Sequence, residues 1–247
     1  MLAAVEHTAP MTTFVLVHGA WGGAHGFHLL RPRLRAAGHD VVTPSLTGIG
    51  ERVHLAGPWV DLSVHVRDVV NVVLHEDLRD IVLLGFSYGG MVVTGALDEI
   101  GDRVRELVYL DAFVPDDGDS VVTLAPALAA VVPAPGADGL GAPWLVPGPE
   151  RHYDDPAEAA WSAPRRSPQP VRTFTEPVRI SRPVEEWPLR RTYLRAVRED
   201  VTGGAFAAAA ARARSSAAWH YAEIDSTHLV PQNRPDELAR ILLDLAG

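Results

Sequence analysis

Ser87 stands in the stretch "GFSYGG" at residues 85–90, directly after the apolar run Ile81–Phe86. This stretch matches G-x-S-x-G, the pattern of a serine on a sharp turn between a strand and a helix. Glycines beside the serine permit the close backbone approach that such a turn needs. At a helix start, backbone N–H groups also stabilise a developing negative charge. The pattern predicts a nucleophilic serine, and the alternative is a serine that only caps the helix.

A serine hydroxyl is a weak nucleophile at neutral pH and needs a general base. Among the 11 histidines, His228 has supporting context, because it lies in a polar loop between an apolar run, Trp219–Ile224, and an amphipathic stretch, Pro235–Leu245. That places it at the carboxyl end of a strand, where ligands meet an open parallel sheet. His18 ends the first apolar run and is the main rival, but its His-Gly pair favours a structural role in a loop.

The base needs a carboxylate that fixes its tautomer and stabilises the imidazolium. Asp200 is the preferred candidate, because it follows the apolar run Arg191–Val197 and gives the chain order serine, aspartate, histidine. Asp111 is the competitor, since it ends the run Leu107–Asp111, which also predicts a parallel strand.

An acyl-transfer site also needs donors for the oxyanion, each worth roughly 2.7–4 kcal/mol. One predicted donor is the backbone N–H of Tyr88, the residue after the serine. The other is the N–H of Ala20 in the loop "HGAWGG", with Trp21 as the second choice. The substrate pocket is predicted to contain large apolar side chains, namely Trp21, Phe86, Trp144, Trp161, Trp187 and Leu229.

The elements around these residues alternate between short apolar strands and helical patterns. The strands are predicted at Thr13–His18, Asp40–Pro44, Ile81–Phe86, Leu107–Asp111, Arg191–Val197 and Trp219–Ile224. The helices are predicted at Leu29–Ala37, Val60–His75, Met91–Ile100, Gly204–Arg214 and Pro235–Leu245. Strands that are apolar on both faces and alternate with helices predict an α/β fold, with a mostly parallel sheet covered on both sides.

The composition changes at residue 115. Residues 115–190 hold 14 of the 20 prolines and three of the six tryptophans. Proline at this density interrupts regular elements, and the tryptophans require burial, so we favour an inserted cap over a disordered linker. The predicted organisation is an N-terminal extension (1–12), a core in two segments (13–114 and 189–247) and a cap (115–188).

Composition excludes several kinds of chemistry. The chain contains no lysine and no cysteine, which rules out a lysine Schiff base and a thiolate nucleophile. A net charge of -9 argues against general nucleic-acid binding. The sequence contains no metal-ligand motif, and no G-x-G-x-x-G pattern follows a predicted strand. No metal and no other cofactor is therefore expected. No signal peptide or membrane span is evident, which predicts a cytoplasmic protein. A monomer or a homodimer is the default expectation for its oligomeric state. The expected partner is a small-molecule ester.

With the serine turn, the "HGAW" loop and the final "DSTH", the chain resembles the α/β-hydrolase superfamily. It is most similar to the branch of plant salicylate methyl esterases, hydroxynitrile lyases and small bacterial esterases, over residues 13–114 and 189–245. The resemblance implies the following roles: Ser87 as nucleophile, His228 as base, Asp200 as acid, and Ala20 and Tyr88 as oxyanion donors.

Two residues depart from this branch. Its hydroxynitrile lyases have a lysine directly after the catalytic histidine, where this chain has Leu229. Phe86 stands where histidine or glutamate is common. The expected activity is therefore cofactor-independent hydrolysis of a small to medium, apolar carboxylic ester. The alternatives are a thioesterase, ring-forming enzyme or lyase of secondary metabolism that uses the same pocket, and a non-catalytic ligand-binding protein.

Overall fold

The structure, a computed structural model, describes residues 11–130 and 144–247. Its strands are β1 (Thr13–Val17), β2 (Asp40–Val42), β3 (Ile81–Phe86), β4 (Val104–Leu110), β5 (Leu145–Val146), β6 (Gln169–Pro170), β7 (Arg190–Ala196) and β8 (His220–Ile224). Six of them form one sheet in the order β2-β1-β3-β4-β7-β8, and every neighbouring pair is parallel. The remaining two, β5 and β6, form a short antiparallel pair. The predicted parallel sheet is confirmed.

The helices are α1 (Leu30–Ala36), α2 (Leu62–His75), α3 (Gly89–Ile100), α4 (Val121–Leu124), α5 (Pro126–Ala129), α6 (Pro156–Ser162), α7 (Arg172–Thr175), α8 (Ala205–Arg214), α9 (Val230–Asn233) and α10 (Pro235–Ala246). Side chains of α2, α3 and α8 pack on one face of the sheet, and those of α1 and α10 pack on the other. The sheet is therefore covered on both sides, as the apolar strands predict. Within the described parts of the chain, no helix is long and apolar enough to cross a membrane.

Strand β4 begins three residues before its predicted start, at Val104. The predicted strand starts at Leu107, directly after the charged residue Glu106. In the structure Glu106 is buried, where it accepts a hydrogen bond from Thr192 at 2.7 Å and pairs with Arg190 at 2.9 Å, both on the neighbouring strand β7. A buried charge is tolerated when it is paired and hydrogen-bonded. The partners lie far away in sequence, so local pattern alone could not identify them.

The order of the strands creates a crevice at one edge of the sheet. The chain passes from β1 to β2 on one side and then crosses back to β3 on the other. In open α/β sheets, ligands bind beside such a reversal, at the carboxyl ends of the strands. The loops that follow β3, β4 and β8 at this edge carry Ser87, Asp111 and His228.

Between β4 and β7 the chain forms only short elements, as its proline content predicts. The longest helix of this segment among the described residues is α6, with seven residues. The division into an extension (1–12), a core and a cap (115–188) stays a prediction. Residues 1–10 and 131–143 of that division lie outside the part of the chain that the structure describes.

Two histidines are buried in the core as neutral rings. His18 donates from Nδ1 to the carbonyl of Gly19 at 3.0 Å, and its Nε2 accepts from the N–H of Leu46 at 3.1 Å. His65 donates from Nε2 to the carbonyl of Thr47 at 2.8 Å. Burial lowers the pKa of His18 and of His65 to about 4. Both nitrogens of His18 are thus occupied by backbone groups, which leaves it unable to act as the base.

The lowered pKa values of these histidines are expected to make the protein less stable in mild acid. Between pH 6.5 and pH 4 the unfolded histidine binds a proton that the folded one does not, so stability falls as pH falls through this window. Each histidine contributes about 1.4 kcal/mol per pH unit. Urea denaturation at a series of pH values measures this slope.

The His18→Gln variant lacks one group that takes up a proton on unfolding. The slope of its free energy of unfolding against pH is therefore expected to be smaller by about 1.4 kcal/mol per pH unit. Replacement of the exposed His75 by glutamine serves as the matched control. Equal slopes for the parent and His18→Gln would show that His18 does not titrate on unfolding.

Candidate active site

Ser87 occupies a tight turn between β3 and α3. Its φ of 57° lies in the left-handed region, a strained conformation for a residue with a side chain. The two following glycines make the turn possible. A Cβ at Gly89 would lie 2.6 Å from the carbonyl oxygen of Val17, and one at Gly90 would lie 2.1 Å from that of Phe113. Only glycine fits such approaches of backbone to backbone.

His228 lies beside Ser87 and is oriented by stacked rings and hydrogen bonds. Its ring is stacked against Phe86 at 4.9 Å and against Phe206 at 5.4 Å between centroids. The ring Nδ1–H donates to Oδ2 of Asp111 at 2.7 Å, so Nε2 is unprotonated and accepts from the hydroxyl of Ser87 at 2.9 Å. This is the tautomer that a general base for serine requires.

Asp111, and not Asp200, is the carboxylate that contacts His228. It follows β4 directly, is fully buried, and has a strained φ of 41°. Its Oδ1 accepts hydrogen bonds from the guanidinium of Arg195 and, at 3.3 Å, from the N–H of Ala196, while Oδ2 is left for the histidine. Each of these three contacts is a donor to a carboxylate oxygen, an arrangement that suits Asp111 to orient the histidine and stabilise an imidazolium.

The prediction of Asp200 as the orienting acid is wrong. Asp200 accepts from the N–H and hydroxyl of Thr202 at 2.9 and 2.6 Å and pairs with Arg195 at 3.2 Å. Partial burial raises the pKa of this carboxyl, but the hydrogen bonds from Thr202 lower it overall. The reason is the strand order, since β4 adjoins β3 and ends directly in Asp111, whereas Asp200 lies in a turn beyond β7.

The loop after β1 lies against the serine. A Cβ at Gly19 would meet Cβ of Ser87 at 2.9 Å, so the backbone leading to Ala20 passes directly beside the nucleophile. The N–H of Trp21, the second choice for an oxyanion donor, donates to Oε1 of Gln169 at 3.0 Å. This hydrogen bond makes the N–H of Trp21 unsuitable as an oxyanion donor. The assignment of the N–H groups of Ala20 and Tyr88 as donors stays a prediction.

Tyr88 is held firmly under this site. Because Nε2 of His65 donates to a carbonyl, its Nδ1 accepts from the hydroxyl of Tyr88 at 2.9 Å. The Tyr88 ring also packs edge-on against Phe174. These contacts fix the first residue after the nucleophile, at the start of α3.

Two cavities meet at Ser87. Both are lined by Ser87, Ala20, Trp21 and Arg151. The larger has a wall of mixed polarity that includes His25, Phe86, Tyr153, Ser162, Arg166, Leu229 and Gln232. The smaller is lined mostly by apolar side chains, among them Phe113, Val121, Leu128, Phe174, Val201 and Phe206. A molecule with two chemically different ends fits this arrangement.

The predicted pocket tryptophans have different positions. Trp21, like Phe86 and Leu229, lines the larger cavity. Trp161 stacks on His28 at 3.8 Å, behind the cavity wall, and the carbonyl of Trp144 accepts from the N–H of Val171. Neither of these two indoles lines the cavities at Ser87 in the described structure.

The prediction for Trp187 is wrong. Its ring packs on Gly101, beside the first residues of β4 and β7. This is the amino edge of the sheet, opposite Ser87. Tryptophan content predicts burial but not the edge of the sheet at which the burial occurs.

The sequence patterns missed several residues of this site. Arg195 bridges Asp111 and Asp200, and Glu199 accepts from the N–H of His228 at 2.8 Å. Phe206 and Arg151 complete the set, the first against the histidine ring and the second on both cavities. None of these residues belongs to a motif. The one signal in the sequence is that Arg195, a charged residue, lies within the predicted apolar strand Arg191–Val197. Among the described residues, no cluster of three or more histidine or acidic side chains could hold a metal ion.

Comparisons with known proteins agree with this architecture. A model of the alpha/beta hydrolase family matches residues 14–241. A solved structure, described as an extracellular alpha/beta-hydrolase from a Paenibacillus species with homology to tobacco salicylic acid binding protein 2, superimposes with a TM-score of 0.81 at 23% identity. It covers 95% of this chain and 98% of its own. Tomato methylketone synthase I superimposes with a TM-score of 0.78 at 19% identity over 96% and 98% of the two chains.

Curated relatives match in sequence over shorter segments. A carbendazim hydrolyzing esterase from Nocardioides sp. (strain SG-4G) is 53% identical over 116 residues, which are 47% of this chain and 48% of the relative. An alpha-hydroxynitrile lyase from Arabidopsis thaliana is 35% identical over 109 residues, 42% and 40% of the two chains. The chain thus spans less than half the length of these relatives in the alignments. Because the family match covers most of the sequence and the fold agrees with it, the chain belongs to the alpha/beta hydrolase family.

Proposed function

We propose that this alpha/beta hydrolase cleaves a small to medium carboxylic ester through an acyl-enzyme on Ser87. The observation that carries this function is the continuous hydrogen-bond line from Ser87 through His228 to Asp111, at the junction of two cavities. A serine, a correctly protonated histidine and a buried carboxylate together form the constellation of acyl transfer. Relatives named as esterases support the same reaction class.

In this mechanism Nε2 of His228 takes the hydroxyl proton as Oγ of Ser87 attacks the ester carbonyl carbon. The carbonyl oxygen becomes an oxyanion, which the N–H groups of Ala20 and Tyr88 bind. Asp111 stabilises the imidazolium, which then gives its proton to the leaving alcohol. Water, deprotonated by His228, then attacks the acyl carbon. The bond between this carbon and Oγ breaks, the imidazolium returns the proton to Oγ, and the acid leaves. The stacked Phe86 and Phe206 keep the histidine ring in one plane throughout.

The walls of the cavities favour an ester with one compact apolar end. The smaller cavity accepts that end between aromatic and branched aliphatic side chains. The chemistry of the larger cavity is more polar and accepts the other end. Leu229 follows the histidine where a lyase of the resembling branch has lysine, so cyanohydrin cleavage by that route is not part of this function.

The first test is covalent labelling with a fluorophosphonate probe, read by intact mass. We expect one adduct on the parent protein and none on Ser87→Ala, since the probe reports an activated serine. The parent is then assayed for acid release from a panel of methyl and aryl esters that includes carbendazim. Labelling together with hydrolysis supports the function. A folded parent without an adduct would contradict serine activation, and labelling without any hydrolysis would favour the acyl-transfer, ring-forming or lyase alternatives.

A further inference from the structure

Arg151 and Arg166 place two cations on the wall of the larger cavity. Arg151 also lines the smaller cavity and therefore lies at their junction with Ser87. Its guanidinium carbon is 5.9 Å from the centroid of the Trp21 ring. Trp21 in turn is anchored through its indole N–H to the carbonyl of Val146 at 3.0 Å. The guanidinium of Arg151 thus lies near an anchored ring, on the walls of the two cavities that contain Ser87.

Neither arginine has an acidic partner among the residues that the structure describes. Arg166 donates to the carbonyl of Pro149 only. Two other arginines, Arg195 and Arg212, are paired with Asp111 and Glu185. Arg31 and Arg191, like Arg151 and Arg166, have no acidic partner among the described residues. The chain has more acidic than basic residues, as its net charge of -9 shows. The two cations are left available to the cavity.

The two positive charges also disfavour one another. Burial lowers the pKa of Arg151 to about 10, and the charge of Arg166 lowers it further in the same direction. Burial likewise lowers the pKa of Arg166. Both side chains are only partly buried, and the charge of Glu199 offsets part of the effect on the pKa of Arg151. An anion in the cavity would compensate the remaining positive charge in surroundings that water screens only in part.

We propose that Arg151, assisted by Arg166, selects ester substrates that carry a carboxylate on the part lying in the larger cavity. This inference rests on the proposed ester hydrolysis and names its substrate class. The planar guanidinium fork matches a carboxylate with two parallel hydrogen bonds. The compact apolar end of the same molecule fills the smaller cavity, so the ester bond lies at Ser87.

The test compares charged esters with neutral amides of nearly the same shape. Monomethyl glutarate and its amide, methyl glutaramate, place the charge on the acyl side. Acetoxybutanoate and acetoxybutanamide, with the acetoxy group at the fourth carbon, place it on the alcohol side. For at least one pair, kcat/KM of the parent is expected to favour the carboxylate by about ten- to a hundredfold, as charge-assisted hydrogen bonds provide.

The Arg151→Gln variant is expected to lose that preference, so that the ratio of its kcat/KM for the carboxylate to its kcat/KM for the amide falls to about one. Its melting temperature is expected to stay close to that of the parent, because Arg151 is partly exposed and forms no ion pair with the described residues. Arg182→Gln is the control, since Arg182 stacks on Trp187 at the opposite edge of the sheet. It should retain the parent's preference.

Three results would overturn the inference, and they can be distinguished from one another. Equal cleavage of acid and amide in both pairs would refute selection by Arg151 and leave ester hydrolysis standing. No cleavage of any of the four esters would also refute it, and the proposed function fails with it only when the wider panel is uncleaved as well. A preference that survives in Arg151→Gln would assign anion binding to another group.

Discussion

Replacement of Ser87 by alanine is expected to lower kcat for ester hydrolysis by about 10⁶-fold, the effect known when a nucleophile of such a constellation is removed. Without Oγ no acyl-enzyme forms, and the His228 ring has no proton to accept. Substrate binding should persist, because replacing the hydroxymethyl group of serine by a methyl group leaves both cavity walls in place. The measurement is single-turnover hydrolysis of the best ester of the panel, together with KM or Kd for the same ester.

Ser162→Ala provides a control in the same cavity. Ser162 lines the larger cavity, but its hydroxyl donates to Glu158 and has no histidine partner. Its activity should therefore remain close to that of the parent. Substantial hydrolysis by purified Ser87→Ala would assign the nucleophile to a different group and refute the mechanism.

The Asp111→Asn variant is expected to lower kcat by about 10⁴-fold, as when an acid that orients a catalytic histidine becomes an amide. The amide N–H₂ would face Nδ1 of His228 and force the ring into the opposite tautomer. Nε2 would then carry the proton and could not accept one from Ser87. The pH–rate profile of the variant should show that the residual activity rises towards high pH, where hydroxide replaces the base.

Asp200→Asn separates the two candidate acids. Asp200 touches Thr202 and Arg195 but not His228, so its amide variant should keep kcat within about tenfold of the parent. The moderate loss arises because Arg195, which also holds Asp111, loses one of its two carboxylates. A large loss in Asp200→Asn with little effect in Asp111→Asn would reverse the assignment made from the structure.

The resemblance implied Asp200 as the acid, whereas the structure places Asp111 against His228, and Arg195 contacts both carboxylates. One guanidinium is shared between Asp111 and Asp200, and the carboxylate that is fully buried also reaches the histidine. The sequence separation between Asp200 and His228 matched the resembling branch and favoured Asp200. Sequence separation does not report which of two neighbouring strand ends faces the imidazole.

The sequence alone determined the main strands and helices of the core, and it singled out Ser87 and His228, which the structure brings together. Local signals were sufficient there: the apolar run of β3, the glycines around Ser87 and the polar loop that carries His228 each act within about ten residues. The same reasoning placed α1, α2, α3, α8 and α10 to within two residues at each end. Apolar periodicity and glycine freedom depend on the chain nearby, so they can be read without tertiary structure.

Only the tertiary structure decided the acid, the walls of the cavities and the position of two arginines that have no acidic partner among the described residues. Asp111 meets His228 across 117 residues of sequence, because β4 lies between β3 and β7 in the sheet. Trp187 was expected in the pocket but lies at the opposite edge, and Arg151 reaches the serine from a segment without regular structure. Such contacts depend on strand order and on which charges find partners. Both are properties of the assembled fold, since a charge is paired or left free only by neighbours that are distant in the chain.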